Sequence, residues 1–287
     1  MVVSVSTLLA QLSVTLATAQ AATSLPAEAG GELRLMTFNI RVGTAEDGPN
    51  HWKLRRDMVF DVLREHKPDL AGMQEVLKFQ LDAVMEAVPH YAAIGAGRED
   101  GRTAGEYSPI LYRKDRFESL DQGTFWLSET PEVPGSRGWK TACTRVCTWG
   151  RFKDRRTGRT FYMFSTHLDH VSQEAREKGI VLMLQRIERR EHRDRVLLTG
   201  DFNAGEDNPV ITKVKAAKLR DSLRVRKPDA KHTGTGSGWI GKTDGPKIDY
   251  IFVPEGTRVL SAEIIRDNRS GRYPSDHYPV YASIEWR

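Results

Sequence analysis

Leu197-Leu198-Thr199-Gly200-Asp201-Phe202-Asn203 is an apolar run that ends in a glycine turn and presents a carboxylate and a carboxamide two residues apart. That pair suits water activation and the holding of an anionic oxygen. Alone, the same residues serve equally well as an Asx turn after a strand. Three other polar clusters decide the reading, because each falls just beyond an apolar run: Thr37-Phe38-Asn39, Gln74-Glu75 and Ser275-Asp276-His277. Strand ends are where α/β folds place their sites.

Outward from this stretch, Arg195 to Leu198 reads as a strand. Leu33 to Ile40 is apolar on both faces, as a central buried strand is. Residues 52–66 carry an apolar stripe at Leu54, Met58, Val59, Val62 and Leu63, stopped by Lys67-Pro68. Asp69 to Gln74 is a short strand. Leu77, Leu81, Val84 and Val88 then give an amphipathic helix. Short strands are expected around 92–94 and 110–112. Asp154-Arg155-Arg156-Thr157-Gly158 joins 147–152 and 160–166 as a hairpin. Ser172 opens a helix through Arg190, and Asn208-Pro209 is an N-cap followed by an N1 proline. Strands at 248–253 and 259–265 precede an alternating last strand, Val280, Ala282, Ile284 and Trp286. Hairpins mixed with helical connections predict mixed sheets covered by helices. Lys227 to Lys247, with five glycines between Gly234 and Gly245 and with Trp239, reads either as a loop near the site or as an exposed connector.

The chain has 287 residues, 39% hydrophobic and 28% charged, an ordinary globular composition. A net charge of +5 is compatible with an anionic substrate without demanding one. Residues 1–33 contain no Lys or Arg, and 1–22 are rich in Val, Leu, Ala, Ser and Thr, with Ala17-Thr18-Ala19 and Ala19-Gln20-Ala21 as small-x-small sites. This predicts a signal peptide at 1–22, a linker at 23–32, one domain at 33–287, and export to the periplasm or medium. The first segment is too short and polar to span a bilayer, so no stable membrane insertion is expected. Cys143 and Cys147 lie roughly 13 Å apart in an extended strand, too far for a disulfide, and are expected to be buried free thiols.

A phosphoester hydrolase needs a cation to neutralise developing charge, an activated water, and donors for the non-bridging oxygens. Hard cations take oxygen ligands. Each candidate has a bland reading. A lone Glu between strand and helix, like Glu75, is usually a solvated end residue. Asn39 would be a bulge satisfied by backbone, and Ser275-Asp276-His277 a surface turn. Asp249, inside the run Ile248 to Val253, requires a partner, for which a histidine is the natural choice. His167 and His170 in Thr166-His167-Leu168-Asp169-His170 could suggest zinc, but the thiols are misplaced and the other candidates are oxygen ligands.

Taken in order, Asn39, Gln74-Glu75, His167, Gly200-Asp201-Phe202-Asn203, Asp249 and Ser275-Asp276-His277 resemble the endonuclease/exonuclease/phosphatase superfamily. Its members include deoxyribonuclease I, exonuclease III, sphingomyelinases, inositol polyphosphate 5-phosphatases and deadenylases. Gly105-Glu106-Tyr107-Ser108-Pro109-Ile110-Leu111-Tyr112 and Thr124 to Ser128 look like a bacterial branch. The resemblance implies an α/β four-layer sandwich: two mixed, mainly antiparallel sheets face to face with helices outside. It implies that Glu75 ligates Mg2+ (Mn2+ as substitute) with Asn39 and Asp276 nearby. Asp201 would orient or deprotonate water and Asn203 would hold the nucleophile or a phosphate oxygen. His277 would stabilise the transition state, Asp249 would fix a histidine tautomer, and His167 would donate to phosphate. Arg145 and Tyr107 are weaker candidates for substrate contact. In this sequence Gly234-Thr235 is followed by Gly236-Ser237-Gly238, so the late-loop aromatic comes only at Trp239, which puts the substrate pocket rather than the chemistry in question.

The expected activity is that of a monomeric phosphatase or phosphodiesterase on a small or exported substrate. The alternative is a nuclease on DNA or RNA, suggested by the basic runs 151–159 and 213–231, although such runs are commonly solvated faces. A third reading, a catalytically silent binding module, conflicts with the filled site positions. The export expectation is checked by intact mass: secreted protein should lack the first twenty or so residues, about the length of a signal peptide. A full-length or wholly cytosolic product would reject it.

Overall fold

Alternation along the first strand, β1 (Glu32–Asn39), sets the layers. Leu33 and Leu35 enter one buried cluster, whereas Met36 and Phe38 enter another on the opposite face. A strand buried on both faces must lie inside a sandwich. The computed structural model describes Met1 and residues 31–286. The leader expected at 1–22, except Met1, and the linker to residue 30 lie outside the described residues.

The first sheet pairs β1 with β2 (Leu70–Gln74), β3 (Tyr91–Ile94), β4 (Ile110–Arg113), β11 (Arg258–Ile264) and β12 (Val280–Glu285), in the order β11-β12-β1-β2-β4-β3. The second contains β5 (Phe117–Trp126), β6 (Val146–Asp154), β7 (Thr160–His167), β8 (Arg195–Asp201), β9 (Leu219–Asp221) and β10 (Asp249–Pro254), in the order β5-β6-β7-β8-β10-β9. Each sheet has one parallel pair, β1–β2 or β7–β8, among antiparallel neighbours. A parallel pair needs a crossover, supplied by α1 (Trp52–His66) and α3 (Gln173–Glu188). The helices α2 (Lys78–Ala87), α4 (Pro209–Ala216) and the short α5 (Ser222–Arg226) complete the set. The result is the expected four-layer arrangement of two face-to-face mixed sheets with helices outside.

Local chemistry explains the ends. The Ser172 side chain accepts from the Ala175 N–H at 3.1 Å and Asn208 from Val210 at 3.0 Å, so both expected caps form. Lys67 takes a left-handed conformation before Pro68 and closes α1. Helix α3 ends at Glu188, two residues short of the expected Arg190. In α1 the stripe differs from expectation: Leu54 is exposed and Arg55 is buried instead, because its guanidinium is held by backbone carbonyls at the end of β1. Strand β5 escapes sequence reading because its middle is polar and carries an irregularity between Ser119 and Asp121. Both cysteines are free, but Cys143 is only half-buried.

Between the sheets the side chains change character along the strands. Leu35, Leu70, Phe161, Met163, Leu197, Ile251 and Val253 form the dry end. Thr37, Gln74, Ser165 and Thr199 follow, all fully buried. They occupy the next positions on the same strand faces. Gly72 lies opposite two of them: a Cβ there would sit 2.3 Å from Thr199 Oγ1 and 2.9 Å from Ser165 Oγ. The absent side chain is what lets the sheets close at this level. Gly72→Ala is expected to cost about 1–3 kcal/mol by overpacking, read as a lower urea midpoint. Adding Thr199→Ala should recover part of the loss, and a Gly72→Ala variant as stable as wild type would refute the close approach.

Candidate active site

The next polar step on those inner faces is the site. Asn39 ends β1, Glu75 follows β2, His167 ends β7, Asp201 ends β8 and Asp249 opens β10. Because β10 runs antiparallel to β8, Asp249 lies in register with Asp201. Because β12 runs antiparallel to β1, the loop before it brings Ser275, Asp276 and His277 to the same edge. Ser275 Oγ donates to Asn39 O at 2.7 Å and fixes that approach.

One amide ties the sheets together. Asn39 Nδ2 donates to Glu75 Oε1 at 2.9 Å and to Asp201 Oδ2 at 3.1 Å. Its oxygen accepts from the Arg41 N–H, and Glu75 Oε2 accepts from the Val42 N–H, both at 2.9 Å. Glu75 adopts φ +59° and Asn203 φ +47°, left-handed conformations costly outside glycine and concentrated at functional sites. Glu75 is held there by the next residue: Val76 pairs its backbone with Tyr107.

Asp201 Oδ1 accepts from the Asn203 N–H at 2.9 Å. Asn203 Nδ2 donates to Leu168 O at 3.0 Å, and a carbonyl can only accept, so this contact fixes the amide orientation. The second N–H of that group meets His167 Nε2 at 3.0 Å. His167 is therefore a neutral acceptor at Nε2 with its proton on Nδ1, a buried atom without a partner among the described residues. Burial, followed by the charge of Arg145, drives its pKa well below the ordinary value and keeps it neutral.

His277 Nδ1 lies 2.9 Å from Asp249 Oδ2 and 3.8 Å from Asp201 Oδ2. Burial opposes the imidazolium, yet the Asp249 and Asp201 carboxylates outweigh it and hold His277 well above its usual pKa. With Nδ1 committed to Asp249, Nε2 is the second N–H donor of the charged ring. Asp201 is pushed up to about 7, first by burial and then by the neighbouring Asp249 charge. Burial also raises Asp276. Glu75 is the opposite case: burial would raise it, but the Asn39 and Val42 N–H groups stabilise its charge and leave it lowered.

The residues fit a hard divalent cation. Glu75, the Asn39 carboxamide and Asp276 offer oxygen donors, and Arg41 approaches both carboxylates, at 3.9 Å from Glu75 and 3.8 Å from Asp276, while pairing with Asp47 at 3.0 Å. Three acids around one guanidinium leave net negative charge. Asp201, Asp249 and His277 also lie close enough to share an ion, and in the metal-free protein the His277 Nδ1 is held by Asp249. A second such group, Cys143, Asp169 and His170, is already occupied. Asp169 accepts from Thr141 Oγ1 and from the Ala142, Val171 and Ser172 N–H groups. Against the cost of burial, those bonds hold it down to about 2. His170 Nδ1 meets Arg145 at 3.0 Å. The zinc suggested by His167 and His170 thus has no place here: the two rings join different networks.

Arg145 and Tyr107 sit apart from the central hydrogen bonds but line one narrow cavity with His167, Arg98 and Glu106. Tyr107 turns its hydroxyl to Arg102 O at 2.7 Å, which leaves packing as its main role. Arg145 is buried, 3.9 Å from Asp169. Sequence reading missed Glu106, which pairs with Arg98 at 2.7 Å and is raised by burial. It also missed Thr235, whose hydroxyl accepts from the Ile248 and Asp249 N–H groups. A carboxylate and a hydroxyl in otherwise loop-like stretches give no periodic signal.

Two mixed sheets with acids, amides and imidazoles converging at their seam define a hydrolase of the two-sheet sandwich class. The chain belongs to the Endonuclease/Exonuclease/phosphatase family, whose model matches residues 36–277. It is similar to the endonuclease/exonuclease/phosphatase of Bacteroides vulgatus, at 36% identity and TM-score 0.81 over 89% of this chain and 99% of that one. A mannosyl-6-phosphatase of Bacteroides thetaiotaomicron is 33% identical, with TM-score 0.82 over 88% of this chain and all (100%) of its own. Nocturnin of Drosophila melanogaster is 24% identical over 91% of this chain, which spans about half (48%) of that relative's length.

The Asp249–His277 pair can be tested directly. His277's folded pKa lies above its unfolded value, so the pair contributes stability that is full below about 6.5 and is lost as pH rises through the folded value. In metal-free protein, NMR titration should find His277 charged at pH 7, and Asp249→Asn should lower its midpoint by about one unit or more. An unmoved midpoint would remove Asp249 from that role.

Proposed function

We propose that the protein is a metal-dependent phosphatase or phosphodiesterase acting on a small phosphorylated molecule, and that it works after export. The observation that carries the reading is the Asn39 amide, which places the metal-ligand candidate Glu75 and the buried base Asp201 on either side of one group. Glu75, Asn39 and Asp276 would hold Mg2+ or Mn2+. When bound, the cation supplies charge neutralisation at a phosphoryl oxygen.

The chain's own groups do the rest. Asp201, raised to about 7, is poised to take a proton from the attacking water near neutral pH. Asn203 spends both side-chain N–H groups on Leu168 O and His167 Nε2, so its amide oxygen is the atom left to accept a proton from the attacking water. His277 donates from Nε2 to an oxygen that gains charge in the transition state, and Asp249 keeps it charged and oriented. His167, neutral, lines the same wall beside Arg145.

A small substrate is favoured over a nucleic acid because the guanidiniums nearest the cluster face local partners. Arg41 meets Asp47, Arg98 meets Glu106, and Arg145 meets His170. A polyanion is bound by cations that release counterions from it. The similarity to a mannosyl-6-phosphatase supports sugar phosphates as the first class to try.

The test is a substrate panel of nitrophenyl mono- and diesters, sugar phosphates, phospholipids, RNA and single- and double-stranded DNA with Mg2+, Mn2+ or EDTA. Sugar phosphates should turn over with metal and stop in EDTA; activity that persists in EDTA would reject the metal. Preferred DNA cleavage with a steep salt dependence would replace the small-substrate reading with the nuclease one. Glu75→Ala, Asp201→Ala and His277→Ala should each lower kcat by about 100-fold or more with the fold intact. In the wild type, kcat/KM should rise about tenfold per pH unit below Asp201's pKa and level off above it. Near wild-type rates in Asp201→Ala would remove it from the base role.

A further inference from the structure

Arg55 is a cation 1% exposed, without a carboxylate in hydrogen-bond contact among the described residues. Its guanidinium donates to four backbone carbonyls: Nε to Asn50 O at 2.8 Å, Nη1 to Ile40 O at 2.7 Å and Pro274 O at 2.9 Å, and Nη2 to Arg41 O at 3.0 Å. These carbonyls belong to three segments, two of them, at Ile40–Arg41 and at Pro274, from opposite ends of the chain, and the third the turn at Asn50 just before α1. Ile40 and Arg41 follow Asn39, and Pro274 precedes Ser275 and Asp276. The same guanidinium lies over two indoles, 5.3 Å from the Trp52 ring centre and 5.2 Å from that of Trp239.

Trp239 stands on the glycine-rich loop, and that loop is tied to the site at a second point. The Ser237 and Gly238 N–H groups donate to Asp276 O at 2.6 and 3.2 Å, and Ser237 Oγ donates to Ser275 O at 2.8 Å. Gly236 pairs with His277. The loop therefore donates to the Asp276 carbonyl while its tryptophan packs on the guanidinium that holds Pro274. Burial lowers the Arg55 pKa to about 10, which leaves it charged at neutral pH, and the Asp276, Asp47 and Glu75 charges act back on it. A full charge is kept in a dry position where a neutral side chain would pack at lower cost.

We propose that Arg55 is a positioning residue that fixes the spacing between the Asn39–Glu75 and Asp276 halves of the divalent-cation site, and that Trp239 couples the glycine-rich loop to that spacing. This rests on the metal reading above. A planar fork reaches carbonyls in two segments at once; a lysine ammonium, with one nitrogen, cannot span them. Arg55 touches neither substrate nor metal; it acts through the backbone of the residues that do.

The experiment measures Mn2+ binding by calorimetry to wild type, Arg55→Lys, Trp239→Ala and Trp239→Phe, alongside activity at rising Mg2+. Arg55→Lys should bind Mn2+ at least about tenfold more weakly, the scale of lost outer-shell support, and should recover kcat at high Mg2+. Trp239→Ala leaves the four carbonyl contacts in place, so it keeps the fold if Arg55→Lys does not. It should weaken Mn2+ binding, and Trp239→Phe should restore it through the retained cation–π face. A purely structural lesion would lower the active fraction without rescue by metal. Wild-type affinity in both Arg55→Lys and Trp239→Ala, or lost activity that no Mg2+ concentration restores, would overturn the proposal. Failure of the wild type itself to bind Mn2+ would overturn the metal reading and this inference with it.

Discussion

A buried carboxylate at the seam of two sheets sets the terms for everything around it. Asp201 is 1% exposed, and such a group costs several kcal/mol when ionised and alone. The fold answers from both sides. Asn39 donates from the first sheet and the Asn203 backbone from the second, while charged His277 stands 3.8 Å away on a loop anchored to β1. The balance leaves Asp201 neither as acidic as a surface aspartate nor permanently neutral. Glu75, partly buried, receives N–H donors from Asn39 and Val42 and stays ionised. Two carboxylates in one cleft thereby take different work: one suits a cation, the other a proton.

The same seam explains the gradient across the sandwich. Hydrocarbon fills one end of the space between the sheets, hydroxyls and an amide fill the middle, and ionisable groups fill the far edge. Each step moves two residues along a strand, so a single pleat periodicity orders dry core, polar buffer and chemistry. Gly72 keeps the middle step narrow. Were the sheets held further apart there, Asn39 could not reach across to Asp201.

Much of this was legible in the sequence, and unevenly so. The polar residues at strand ends stood out because they interrupt apolar runs, as Asn39, Asp201 and Asp249 do. Their company was not visible from spacing: Asn39 and Asp201 are 162 positions apart, and only the family resemblance joined them. Arg55 was read past because an arginine in a helical pattern looks like a solvated face, and Leu54 beside it fits the apolar stripe better by chemistry. Four backbone carbonyls, two of them just past the end of β1, reversed that choice, and carbonyls carry no sequence signal. Glu106 and Thr235 were missed for a related reason. They lie in segments without periodicity, and their roles come from pairing partners that only the tertiary structure supplies. Strand β5 shows the same limit at the level of elements, since an edge strand with a polar middle lacks the alternation that marks its neighbours.

Strand β1 lies between β2, which follows it closely in the chain, and β12, which is the last strand of the described structure. During synthesis, β1 can therefore satisfy only one of its edges until β12 (Val280–Glu285) has left the ribosome. The second edge, the anchoring of Asn39 by Ser275, and the delivery of Asp276 and His277 all arrive together. Until β12 and the loop before it arrive, the candidate site lacks Asp276 and His277, so the site assembles late in synthesis. Long-range pairing of this kind slows folding.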